Sequence, residues 1–510
     1  MLSSTISAAV NGIDANIISV ETYISSGLPM FSIVGLPDAA VKESRDRVVA
    51  ALKNSGFDFP SKKITVNLAP ADIKKEGGSF DLPIALGILA CCGKINFETL
   101  KSFCSAGELS LDGKIRKVKG VLNMALSLKN FKVKNFIVPF LNRREAAAVN
   151  ELNIYPFKTL AETVNFLNGA AVEPFSSQDV LQNVQDGHLA QEYDFSEIKG
   201  QQYAKRAAEV AAAGAHNMIM SGPPGSGKTM IAKRIPGILP PLEYEESIET
   251  TKIWSACGRS FAGGLIKERP FRSPHHTVSA AALAGGGSYP KPGEVSLAHN
   301  GVLFLDEFAE FRRDALEILR QPLEDKQITV SRAKNSLVFP ASFMLVAAMN
   351  PCPCGNFGNP LKRCVCSPLQ IRKYKNKISG PLLDRIDICL EVPAVKISEL
   401  TSMQDGESSA SIKERVVKAR KIQNERFKGL KIFTNAQMQS KDIKKYCIAE
   451  SKALELLKNA VEKLNFSARS YDKILKVART IADLAASEII KSAHIAEAVQ
   501  YRAFDREIEN

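Results

Sequence analysis

A chain of 510 residues, 45% hydrophobic and 24% charged, is too long for one ordinary core and too apolar for a disordered or fibrous protein; about three domains are expected. Sixty-seven Lys and Arg against 54 Asp and Glu leave a net charge of +13 with no basic tail, which fits a polyanionic partner and a merely basic soluble protein equally well. No apolar run approaches the roughly 20 residues that cross a bilayer, and Met1-Leu2-Ser3-Ser4-Thr5 does not read as a secretory leader, so a cytoplasmic protein without a membrane partner is expected.

In chain order, residues 16–23 and 63–68 read as strands from their β-branched content, and 39–53 as a helix ending near Gly56. The first 168 residues are mixed α/β. Residues 170–193 are polar and aperiodic, a linker by composition. Three apolar runs follow, 217–221, 302–305 and 343–349, separated by helical segments, which predicts a parallel sheet covered on both faces. Beyond Pro393 the pattern turns helical at 411–427, 450–464, 471–486 and 493–504, with Ser467 or Ser470 as a cap. There is no convincing internal repeat.

Gly222-Pro223-Pro224-Gly225-Ser226-Gly227-Lys228-Thr229 joins the first of these runs to a helix. Glycines let backbone N–H groups turn toward phosphate oxygens, and the helix start adds its positive end. Lys228 supplies a point charge to the outer phosphates and the Thr229 hydroxyl a ligand for Mg²⁺. A glycine turn without function is the competing reading. The run 302–305 ends in Asp306-Glu307, acids at a strand tip suited to a metal shell (Asp306) and to activating a water (Glu307). Asn350, at the end of 343–349, reads either as a group orienting that water or as a turn residue before Pro351. Cys352-Pro353-Cys354 and Cys364-Val365-Cys366 gather four thiols around a glycine-containing loop; a structural Zn²⁺ and free thiols in a turn are the two readings.

Together the three nucleotide elements resemble the Walker A, Walker B and sensor 1 motifs of AAA+ ATPases. Phe271-Arg272-Ser273-Pro274-His275-His276, and Pro292 through Gly301 running into the acidic strand, are similar to magnesium-chelatase-type ATPases. With its N-terminal part, nearly the whole chain resembles the YifB/ComM family of magnesium-chelatase-like proteins. The resemblance implies an N-terminal α/β domain of ribosomal S5 domain-2-like, Lon-protease-like fold (1–168), a linker (169–194), an AAA+ P-loop core with a parallel sheet (195–395) and a C-terminal helical lid (396–510). It implies ATP and Mg²⁺ as cofactors, Arg385 in Leu382–Asp387 as an arginine finger reaching a neighbouring subunit, Arg469 as sensor 2, and a ring, expected to be a hexamer. Residues 326–339 resemble the family's pore hairpin, whose tip, with Arg332 and Lys334, would follow a DNA backbone; a solvated hairpin is the competing reading.

Lys75-Glu76-Gly77-Gly78-Ser79-Phe80-Asp81 resembles the serine segment of Lon-type proteases. Leu122 stands where the activating lysine belongs, with Lys117 and Lys119 offset, so a protease fold without protease chemistry is expected. The function implied is an ATP-hydrolysing DNA motor and helicase that promotes branch migration of recombination intermediates in natural transformation. The alternative is a chelatase-like motor that remodels a protein partner or drives metal insertion into a tetrapyrrole.

Overall fold

The computed structural model describes residues 1–176, 193–259, 261, 263–287, 290–331, 336–359, 362–394, 406–464 and 466–502. Its internal contacts divide the chain into two compact units, Met1–His188 with Glu243–Lys267, and Leu189–Leu242 with Glu268–Asn510.

The first unit is built on a seven-stranded mixed sheet. Strands β1 (Leu2–Asn11) and β2 (Asp14–Ser25) form a long hairpin around Gly12, whose φ of +67° suits a tight turn. With β3 (Met30–Val34), β4 (Lys63–Ala69), β5 (Phe103–Ser105), β6 (Asn135–Pro139) and β7 (Asn153–Phe157) the order is β3-β4-β2-β1-β5-β6-β7. The expected helix is α1 (Ala39–Asn54): the Asp38 carboxylate accepts from the Val41 N–H at 2.8 Å, and the chain leaves through Gly56 at φ +81°. Helix α2 (Asp81–Cys91) is apolar all round and buried at every position but Ala90, as a central helix must be. It lies close on the β1–β2 hairpin: a Cβ at Gly87 would come within 2.6 Å of Thr22 Oγ1. The helix Tyr244–Ala256 joins this unit from far along the chain. Its Tyr244 hydroxyl donates to the Ala148 carbonyl at 2.7 Å, and the Lys252 carbonyl accepts from Asn123 at 3.0 Å.

The second unit has a five-stranded, wholly parallel sheet. Helix α3 (Gln202–Gly214) leads into β8 (Met218–Ser221), followed by α4 (Lys228–Ile238), β9 (Phe271–Arg272), β10 (Val302–Leu305), α5 (Arg320–Asp325), β11 (Gln327–Ser331), β12 (Ser336–Pro340), β13 (Met344–Met349), α6 (Gly380–Leu383) and β14 (Ile388–Glu391). The sheet order is β9-β10-β13-β8-β14, while β11 and β12 form a separate antiparallel hairpin. Every residue of β8, β10 and β13 is buried, which is why these strands read as unbroken apolar runs with no alternation. Beyond the sheet pack the helices α7 (Ser409–Arg426), α8 (Ser451–Leu464), α9 (Ala468–Leu484) and α10 (Ser492–Gln500). Ser467 caps α9, accepting from the Ser470 N–H at 3.2 Å. No helix among the described residues is long and apolar enough to cross a membrane.

Candidate functional site

Strand order fixes where the chemistry gathers. β8, β10 and β13 are neighbours and parallel, so the residues that follow their carboxyl ends, Gly222, Asp306 and Asn350, emerge along one edge of the sheet.

Between β8 and α4 the loop Gly222–Gly227 needs its glycines for two different reasons. Gly225 and Gly227 take φ of +78° and +89°, a region costly for any side chain. At Gly222 the constraint is space, because a Cβ would lie 2.1 Å from the Val392 carbonyl oxygen. Pro223 and Pro224 complete the turn. Lys228, 8% exposed, folds back over the loop: its Nζ donates to the carbonyls of Gly222 (2.7 Å) and Pro223 (2.9 Å) and to Ser226 Oγ (3.3 Å). Burial pulls this ammonium down to about 8, against the opposing pull of Asp306. A cation held by neutral oxygens beside a glycine-rich turn fits the outer phosphates of a nucleotide.

Thr229 Oγ1 donates to Asp306 Oδ2 at 2.8 Å, which brings together two oxygen groups of the kind that could hold a magnesium ion. The other oxygen of Asp306 accepts the Glu307 N–H at 2.9 Å. Glu307 itself stands at φ +52° with an exposed carboxylate, and His276 Nδ1 lies 2.9 Å from its Oε2. The His276 ring rests on His275, centroids 4.1 Å apart. In the sequence His276 is a motif residue without a role; the structure puts it on Glu307. Gln201 escapes sequence reasoning altogether. Its Nε2 bridges the Ser226 carbonyl (3.2 Å) and the Pro393 carbonyl (2.7 Å), pinning the glycine loop to the chain beyond β14. The only signal is its place beside Gly200.

Other motif residues brace the frame. Arg272 grips Glu294 through two hydrogen bonds of 2.6 and 2.8 Å, and His299 Nδ1 accepts from the Ser342 N–H at 3.0 Å. A Cβ at Gly301 would meet the Pro270 carbonyl oxygen at 2.0 Å.

Arg385 and Arg469 come together in a separate patch. The Arg385 guanidinium pairs with Glu324 on α5 and donates to the Pro381 carbonyl. Arg469, at the start of α9, pairs with Asp384 at 3.1 Å. One turn on, Lys473 Nζ donates to the Ile386 carbonyl at 2.9 Å, as does Arg502. Asp387 is buried beneath them; burial would raise its carboxyl, but the His216 ring, its Nδ1 3.5 Å away, and the charges of Lys473 and Lys476 outweigh it and hold the group below the usual range. Cys352, Cys354, Cys364 and Cys366 form one cluster, their sulfurs within 4.8 Å of one another, compatible with a zinc site. Arg332 and Lys334, the expected DNA contacts, lie outside the described residues.

In the first unit, Ser79 and Leu122 are both buried, and Lys117 and Lys119 are exposed. Leu122 packs in an apolar cluster with Val118, Val121 and Ala125. The buried Asp81 is occupied by Arg47 (2.7 Å), Ser44 and the Leu109 N–H (3.1 Å).

A parallel sheet with a glycine-rich turn before a helix, acids at the tip of the strand two places along and a C-terminal helical layer defines a magnesium-chelatase-like AAA+ protein, a class that suggests an ATPase using ATP and Mg²⁺. The family described as magnesium chelatase, subunit ChlI, matches residues 194–400; the description subunit ChlI of Mg-chelatase matches 20–142, and the ChlI C-terminal description matches 406–502. The chain is 46% identical to competence protein ComM of Haemophilus influenzae, over 98% of this chain and 97% of that protein. It is 44% identical to YifB of Escherichia coli over 98% and 96%. Lon protease 2 of Bacillus subtilis is 29% identical over 153 residues, 27% of this chain and 26% of that protein. The chain therefore belongs to the YifB/ComM family of magnesium-chelatase-like proteins.

Proposed function

We propose that this protein is an ATP-hydrolysing, ring-forming motor that binds DNA, moves along it and promotes branch migration of recombination intermediates, as in natural transformation. The observation that carries the ATPase part is the convergence of buried Lys228, the Thr229–Asp306 pair and Glu307 at one sheet edge. In this reading Gly222–Gly227 would wrap the phosphates, Lys228 would neutralise the outer pair, and Thr229 with Asp306 would hold Mg²⁺, which would draw charge from the leaving phosphates. Glu307, released from His276, takes a proton from the attacking water, and Asn350 orients that water. Arg385, carried on a segment turned away from its own phosphate loop's strand tips, completes the site of a neighbouring copy; Arg469 sits beside it. A ring, taken here as a hexamer, follows from that division of labour.

The DNA part leans on the +13 charge, the β11–β12 hairpin, the basic Arg332 and Lys334 that the sequence holds between its two strands, and the likeness to a competence protein. The functional parts are then 1–168, 195–395 and 396–510, working in the cytoplasm. The first is a Lon-like fold without peptidase chemistry, because Leu122 offers no proton acceptor to Ser79.

The deciding measurement is phosphate release by the full chain with Mg²⁺, alone and with single-stranded or four-way DNA. Stimulation by DNA that fades as salt rises supports the reading. Turnover indifferent to DNA, without salt-sensitive binding, transfers the motor to a protein partner.

A further inference from the structure

The chain leaves β13 at Met349, passes Asn350 and Pro351, and enters the cysteine loop at once. Cys352 Sγ lies 3.4 Å from Cys354 Sγ and 3.7 Å from Cys364 Sγ, and the last two are 3.6 Å apart. Disulfide-bonded sulfurs would stand about 2.05 Å apart. Sulfurs placed tetrahedrally about 2.3 Å from a zinc ion are about 3.8 Å from one another, close to what is observed. Backbone amides are aimed at the sulfurs: the Phe357 N–H donates to Cys352 Sγ at 3.3 Å, and those of Val365 and Asn356 face Cys354. Amide donors around sulfur are the outer support that thiolate–metal sites use.

The loop has little else to hold it. Val365 is 83% exposed and Phe357 40%, so among the described residues no apolar core of its own closes it. Yet its turn lies against the nucleotide cradle. Gly355 has φ +79°, and a Cβ there would come within 2.7 Å of Pro224 Cδ, 2.9 Å of Pro224 Cγ and 3.9 Å of Asn350 Cγ. Gly355 is thus the point where the cysteine loop bears on the phosphate loop.

We propose that a zinc ion held by Cys352, Cys354, Cys364 and Cys366 closes this loop into a rigid wall behind Pro224, so that the affinity for ATP depends on zinc occupancy. The proposal rests on the reading of Gly222–Thr229 as an ATP cradle. The ion takes no part in hydrolysis; it fixes the shape of the loop that touches the phosphate turn.

The test uses the full chain, purified in metal-free buffer, with zinc measured by mass spectrometry and binding of ATP with Mg²⁺ measured by titration. One zinc per chain is expected. Its removal by a chelator, under reducing conditions, should weaken ATP binding at least tenfold, and added zinc should restore it. Gly355→Ala separates metal from contact: it should keep its zinc and still lose at least tenfold in ATP affinity. Gly358→Ala is the matched control, because Gly358 also has positive φ (+72°), but a Cβ there would meet nothing within 4 Å. It should retain both zinc and affinity.

A chain with no zinc overturns the metal. Zinc removal that leaves affinity unchanged, or Gly355→Ala binding ATP as tightly as Gly358→Ala, overturns the coupling. An unmodified, zinc-loaded chain that binds no ATP overturns the cradle reading instead.

Discussion

Both units contain a glycine-rich turn that opens a helix, and the two turns have opposite surroundings. At Gly77–Ser79 the first charged side chain of the following helix, Asp81, is consumed by Arg47, Ser44 and a backbone amide. Phe80 and Leu82, on either side of it, are buried in the apolar core. At Gly225–Gly227 the following Lys228 donates to two carbonyls and a hydroxyl, and Thr229 reaches an acid at another strand's end. Turn chemistry alone therefore says little about activity. What distinguishes the turns is whether the charges around them are already spent on one another.

That contrast can be broken by substitution, beginning where the effect is largest. Lys228→Ala should remove ATP binding to the limit of titration calorimetry, since Lys228 is the cation folded onto the loop. Glu307→Gln should keep ATP bound while lowering turnover at least 100-fold in a phosphate-release assay, and size-exclusion chromatography should then show assembled chains accumulating with ATP. Arg385→Ala should leave affinity unchanged and reduce turnover by about 10³, the scale of a trans-acting guanidinium; parental turnover would remove Arg385 from the neighbour's site. In the first unit, Asp81→Ala should cost about 3 kcal/mol in denaturant unfolding, because it strands a half-buried Arg47. Ser79→Ala should change neither ATP turnover nor stability by a measurable amount. If Ser79→Ala does abolish a peptidase activity of the parent, the two turns are alike after all.

Sequence patterns reached the parts of this molecule that depend on neighbours in the chain. The phosphate turn, the acids after 302–305 and the strands themselves are local: buried parallel strands leave unbroken apolar runs, and glycines mark positive φ. The paired C-x-C segments announced a cluster, although sulfur spacing required coordinates. Contacts between distant segments left no such trace. His276 meets Glu307 across 31 positions, Gln201 ties Ser226 to Pro393, and Arg385 pairs with Glu324, each through a single side chain with no periodicity to betray it. The helix Tyr244–Ala256 is the clearest example. It follows the phosphate-turn helix in sequence, yet its contacts group it with the N-terminal unit.

The grip on residues 384–387 carries a mechanical consequence. Arg469, Lys473 and Arg502 hold Asp384 and Ile386, the residues on either side of Arg385, while Asn217 at the foot of β8 donates to the Arg385 carbonyl at 3.0 Å. Helix α9, with 17 residues, is about 25 Å long, and a tilt of only about 5° sweeps its end through about 2 Å. Such a swing exceeds the tolerance of a guanidinium–phosphate contact, for which about 1 Å of misplacement costs about 10² in rate. In the role proposed for Arg385, the C-terminal helices would then act as a vernier on where this arginine aims.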